Sequence, residues 1–141
     1  MSTIYTVGHG TRSREVVIAA ANNMLLIDVR SKPFSRWCAA CNKNAMAKAL
    51  VGRYLSMPEL GGFGDADPIE RQAAIEQVRQ IIKSEDVVLM CSESDPARCH
   101  RSALAVEIAA GRHEIVHLLV PEKKNRVGKK RTSQLTLSKV R

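Results

Sequence analysis

"DVVLMCSESDPARCHRSALAVEIAAG" (86–111) decides the fold. It opens on a short continuous apolar run that ends at Cys91, the pattern of a strand buried on both faces. It closes on an alanine-rich helix that Asp95 caps and Pro96 opens, that runs through about Ala110, and that Gly111 ends. Strand, turn and helix in this order are one unit of an α/β sheet. Two cysteines, a histidine and two arginines crowd into the turn between them.

The same alternation extends in both directions. "TIYTVGH" (3–9) is β-branched and aromatic and reads as a strand, and Ser13 caps a helix through Val16, Val17, Ala20 and Ala21. "LLIDV" (25–29) is an apolar run carrying one acid, as a buried parallel strand would. "RSKPFSRWCAACN" (30–42) has no period and forms a loop, after which Asn44 caps a helix through Ala45, Met46, Ala49 and Leu50. "RYLSMP" (53–58) is a further strand, and "ELGGFGDADP" (59–68) is a glycine-rich loop. Asp67 then caps a helix that Pro68 opens and that runs to Lys83, and "EIVHLLV" (114–120) is the last strand. These elements predict an α/β fold: a single three-layer domain, a mainly parallel sheet of about five strands, and helices on both faces. The domain spans 1–121, and 122–141 form a basic, flexible tail.

Composition agrees. The 141 residues suit one core, with 45% hydrophobic and 26% charged residues. Aromatics make up 4%, so Ala, Val, Ile and Leu must carry the packing, with Met46, Met57 and Met90 as filler. No apolar run nears the ~20 residues of a membrane span, and the first residues lack the pattern of a secretory signal. A cytoplasmic protein with no membrane partner is expected, so Cys38, Cys41, Cys91 and Cys99 read as thiols, metal ligands or catalytic groups rather than a disulfide frame. The net charge of +8 is concentrated in the tail, where Lys123, Lys124, Arg126, Lys129, Lys130 and Arg131 could draw nucleic acid or a nucleotide by counterion release.

In open α/β sheets, ligands gather at the carboxyl ends of the strands. His9, Asp28, Arg30, Ser31, Glu59, Cys91 and Glu93 all fall there. Cys99 and His100 sit in the first turn of the following helix, where the dipole and the flanking Arg98 and Arg101 favour a thiolate.

Two resemblances rest on these residues. "LLIDVRSKP" (25–33) and the 86–111 stretch resemble the corresponding segments of rhodanese-like and cysteine-phosphatase domains, which implies a cysteine loop that cradles an anion. This loop departs from theirs: it has no glycine, and the carboxylates of Glu93 and Asp95 would repel an anion. The second resemblance is to domain-of-unknown-function family 488, a set of small bacterial, archaeal and phage proteins. It is carried by "TVGHGTRS" (6–13), "LLIDVRSKPFSRWCAACNKNAM" (25–46), "RYLSMPELGG" (53–62) and "VLMCSESDPARCHRSALA" (88–105). The resemblance implies a site of His9, Asp28, Arg30, Pro58, Glu59, Leu60, Gly61, Gly62, Cys91, Glu93, Pro96, Cys99, His100 and Arg101. It supplies no reaction.

Three functions fit. In an enzyme, Cys91 or Cys99 is the nucleophile, His100 or His9 the acid or base, and Arg30 and Arg101 hold an anionic group. Glu59 or Glu93 orients a partner, Asp28, Ser31, Gly61 and Gly62 line the substrate site, and the substrate is a nucleotide or nucleic acid. In a metal protein, Cys38-x-x-Cys41 is half of a zinc site that Cys91, Cys99, His100 or His9 completes. In a binding module, the tail makes the contacts and the Cys99-His100-Arg101 turn is structural. Phe34 and Trp37, either side of Arg36, could stack on a base or cover the core.

Overall fold

The computed structural model describes residues 2–10, 13–35, 38–61, 66–92, 99–119 and, as backbone, 136–140. In chain order the elements are β1 (Thr3–Gly8), α1 (Arg14–Ala21), β2 (Leu25–Asp28), α2 (Lys43–Ala49), β3 (Tyr54–Ser56), α3 (Pro68–Ile81), β4 (Val87–Cys91), α4 (His100–Ala109), β5 (Glu114–Leu119) and β6 (Thr136–Val140). The strands form one sheet in the order β3-β2-β4-β1-β5-β6. The first five are parallel, so the fold is the expected α/β sheet.

Period-two alternation sorts each strand's side chains between two cores. Ile4, Ile27, Val87, Leu89, Cys91 and Ile115 pack with Ile75 and Val78 of α3 and Leu104 and Ile108 of α4. Val7, Leu26, Val88, Met90 and Val116 pack on the other face with Val17 and Ala20 of α1 and Met46 of α2. The three expected filler methionines are buried.

Local chemistry explains most helix ends. Ser13 Oγ accepts from Val16 N at 3.4 Å, and Asp67 Oδ2 accepts from Ile69 N and Glu70 N at 3.1 Å each. α4 ends on Ala110, held left-handed at φ 50°, and Gly111 follows at φ 75°.

Three expectations shift. α2 begins after Asn42, not Asn44, and Asn42 Oδ1 accepts from Ser35 N at 2.7 Å instead of capping the helix. α4 begins at His100, because Cys99 takes an extended backbone and its sulfur accepts from Arg101 N at 3.4 Å, so Cys99 itself is the cap. Asp95 and Pro96 lie outside the described residues. The third concerns the segment assigned to the tail: its residues 136–140 form β6, antiparallel to β5 with Ile115 opposite Val140 and Leu119 opposite Thr136. No helix among the described residues is long and apolar enough to cross a membrane.

Candidate functional site

Two clusters of cysteine, histidine and arginine occupy the carboxyl end of the sheet, one on each face. The split follows from strand parity. Gly8 pairs with Cys91 and Asp28 with Met90, so Cys91 points to the α3/α4 face while His9 and Asp28 point to the α1/α2 face.

On the α3/α4 face, Arg101 is fully buried and its Nη1 donates to Cys91 Sγ at 3.1 Å. The sulfurs of Cys91 and Cys99 are in contact across a Cα separation of 7.6 Å. Relaxed disulfides span about 4.4–6.8 Å, so a bond here would require the backbone to close. Cys99 Sγ also lies 3.8 Å from His100 Nδ1. Burial lowers the pKa of His100. The Leu60 and Val29 carbonyls offset this in part, and the Arg101 and Arg71 charges reinforce it. Deeper in the same face, Thr6 Oγ1 and His117 Nδ1 are 2.6 Å apart, and His117 is lowered by burial and then by Arg101.

His100 opens onto a pocket of about 280 Å³ that Gly61, Arg71, Leu104 and Glu107 also line. A second pocket of about 260 Å³ is lined by Ser31, Lys32, Glu59, Gly61 and Glu70. Both share Gly61, which must be glycine for space. A Cβ there would sit 2.7 Å from the backbone N and Cα of Ser31.

On the α1/α2 face, Asp28 and Arg30 form a buried, two-pronged ion pair, Nε to Oδ1 at 2.8 Å and Nη2 to Oδ2 at 2.6 Å. Tyr54 donates its hydroxyl to Asp28 Oδ2, and burial followed by the Asp28 contact raises the Tyr54 pKa strongly. Arg30 Nη2 also donates to the Cys41 carbonyl at 2.7 Å, and Nη1 donates to His9 Nε2 at 3.2 Å. A guanidinium can only donate, so Nε2 carries the lone pair and Nδ1 the proton, which goes to the Gly10 carbonyl at 2.9 Å. Burial first, with Arg30 adding to it, lowers the His9 pKa against the opposing pull of Gly10. Cys38 and Cys41 form a disulfide with Cα atoms 5.3 Å apart, because the turn Ala39–Cys41 is one 3₁₀ turn. A ring nitrogen of His9 and both sulfurs lie within 4.8 Å of one another.

The sequence-based grouping is thus divided. Cys91, Cys99, His100 and Arg101 come together, with Ser31, Glu59 and Gly61 beside them. His9, Asp28 and Arg30 join Cys38 and Cys41 instead. The expectation that all four cysteines are thiols or ligands is corrected at Cys38 and Cys41, whose spacing brings them within bonding range. Glu93, Gly62, Trp37 and the basic residues Lys123, Lys124, Arg126, Lys129, Lys130 and Arg131 lie outside the described residues; Phe34 is exposed. Sequence reasoning missed Tyr54, Arg71 and His117. Parity from the neighbouring strands could have placed Tyr54 and His117, since Leu26 pairs with Tyr54 and Thr6 with His117.

Fold and site together define an α/β protein whose parallel sheet carries a cysteine–histidine–arginine cluster on each face of its carboxyl edge. The family model "Domain of unknown function DUF488" matches residues 65–108, which contain Cys91, Cys99, His100 and Arg101 and support the family resemblance there. No curated protein and no solved structure matches the chain.

Proposed function

We propose that the protein is a thiol enzyme, a transferase or hydrolase, that works on an anionic substrate from the α3/α4 face. The observation that carries this reading is the buried Arg101 guanidinium on Cys91 Sγ at 3.1 Å, with Cys99 against the same sulfur at the start of α4. A buried cation and a helix N-terminus both favour thiolate over thiol. Cys99 is the more accessible sulfur and is the nucleophile; Cys91 is 2% exposed.

His100, kept neutral by burial, takes the Cys99 proton through Nδ1. The Cys99 sulfur then bonds the electrophilic atom as the bond to the leaving group breaks, and the leaving group departs with that electron pair and the proton from His100. Water or a second acceptor next displaces Cys99 and releases the transferred group. Arg71, beside His100 in the 280 Å³ pocket, donates to Glu107 at 3.0 and 3.2 Å, and in this reading it exchanges that partner for the substrate's negative charge. Arg30, named with Arg101 for this role from the sequence, is paired with Asp28 on the other face. The basic residues Lys123, Lys124, Arg126, Lys129, Lys130 and Arg131 support a nucleotide or nucleic acid as the substrate class.

Alkylation of each cysteine of the reduced chain by iodoacetamide, followed by mass spectrometry between pH 6 and 9, tests the reading. Cys99 is expected to react below the ~8.5 of a free thiol. A nucleoside monophosphate should slow the reaction, less so as salt rises, and Arg71→Gln should remove that protection. Cys99 that stays inert until the chain is unfolded would sink the proposal.

A further inference from the structure

We infer that the reduced chain holds a zinc ion on Cys38, Cys41 and His9, at the face of the sheet opposite the thiol site. Two sulfurs and one ring nitrogen within 4.8 Å of one another are the donors of a two-thiolate, one-imidazole centre. Cys41 and His9 are fully buried and Cys38 is 6% exposed, so the donors are already gathered and dry.

Two features of the surroundings suit a cation. The Asp28 carboxylate cancels the Arg30 charge at 2.6 Å, so zinc would meet no uncompensated positive group there. Asp28 itself is occupied by Arg30 and Tyr54 and is not a ligand. The second feature is the His9 tautomer. Nδ1–H is fixed on the Gly10 carbonyl, the outer hydrogen bond that orients metal-bound histidines, and the Nε2 lone pair is the one left to bind. Arg30 Nη1 gives up Nε2 when the metal enters, while Nε and Nη2 keep their bonds to Asp28 and to the Cys41 carbonyl. Three protein ligands leave the fourth zinc position for water or a substrate atom.

Access to this state is redox-controlled. The Cys38–Cys41 disulfide takes two electrons and two protons from an external dithiol, which is oxidised to its own disulfide. Zinc then displaces the two thiol protons, leaving a neutral dithiolate–zinc unit.

The test uses the whole chain, reduced with a phosphine and desalted without oxygen, against a parallel oxidised sample. Zinc is titrated with a competing chelator dye, and cobalt(II) serves as the spectroscopic probe. One zinc per reduced chain and none per oxidised chain is expected, with thiolate-to-cobalt charge transfer and strong tetrahedral ligand-field bands. Cys38→Ser and Cys41→Ser should each weaken binding by about 10–100-fold or more, the range set by even outer-shell losses. His9→Gln should move the ligand-field bands. The Cys91→Ser, Cys99→Ser double variant should bind as the wild type does, which separates this site from the proposed thiol enzyme. No zinc on the reduced chain overturns the inference, as does binding that survives Cys38→Ser with Cys41→Ser or disappears with the Cys91 and Cys99 pair.

Discussion

The two clusters contain the same residue types at the same edge of the sheet, yet their arginines are held differently. On the α1/α2 face Arg30 is neutralised by Asp28, and Tyr54 and His9 complete a closed network. On the α3/α4 face the buried Arg101 meets the sulfur of Cys91. A carboxylate held by a buried arginine makes a structural ion pair; a thiol in contact with one is favoured as thiolate. The cysteines differ to match. Cys38 and Cys41 are joined with Cα atoms 5.3 Å apart, while the sulfurs of Cys91 and Cys99 meet across a longer Cα separation of 7.6 Å.

The sharpest way to break this contrast is Asp28→Asn. It keeps the shape of Asp28 but leaves Arg30 buried and 4% exposed without its counter-charge. Removing one partner of a buried ion pair costs about 3–5 kcal/mol. Urea denaturation should register a loss of that size. A loss under about 1 kcal/mol would mean that Arg30 is not held as argued and that the two faces are electrostatically alike.

A smaller effect probes the other face. Gly61→Ala places a Cβ against the Ser31 backbone and Cβ, where backbone must move to admit it. Overpacking of this kind costs about 1–3 kcal/mol. Gly61 also lies between the two pockets, so the shift should displace Ser31 and alter how a nucleoside monophosphate protects Cys99. Thermal denaturation together with the alkylation assay checks both. An unchanged melting temperature would show that the turn carrying Ser31 yields freely.

Much of this organisation was legible in the chain. The apolar runs at 25–29 and 87–91 and the Asp67-Pro68 signal place β2, β4 and α3, because buried parallel strands need continuous hydrophobicity and a helix start needs an acceptor for its free N–H groups. The start of α4 was misplaced because Asp95-Pro96 carries the same signal, and nothing local says that the Cys99 sulfur does the capping. β6 escaped because five residues in a basic segment carry little pattern, and an edge strand depends on its neighbour for pairing. Grouping His9 with Cys91 went wrong for a simpler reason. Both end their strands, but His9 lies one residue beyond the partner of Cys91, and one residue reverses the face.

The smallest expected effect concerns three of the four histidines, which divide between the faces as the cysteines do. His9 on one side and His100 and His117 on the other all have pKa values lowered first by burial, from the ordinary 6.5. The unfolded chain takes up these protons near 6.5, the folded chain only at lower pH. Between those values the unfolded state holds more protons, so acid favours unfolding. Stability should therefore be level above pH 6.5 and fall as pH drops below it, as read from denaturation midpoints between pH 5 and 8. His117→Gln and His9→Gln should each flatten part of that slope, since neither replacement titrates. If His9→Gln alone removed the whole slope, the acid sensitivity would belong to the Asp28–Arg30 face. The buried Arg101 charge would then add nothing to His117, although it acts against the protonated ring there.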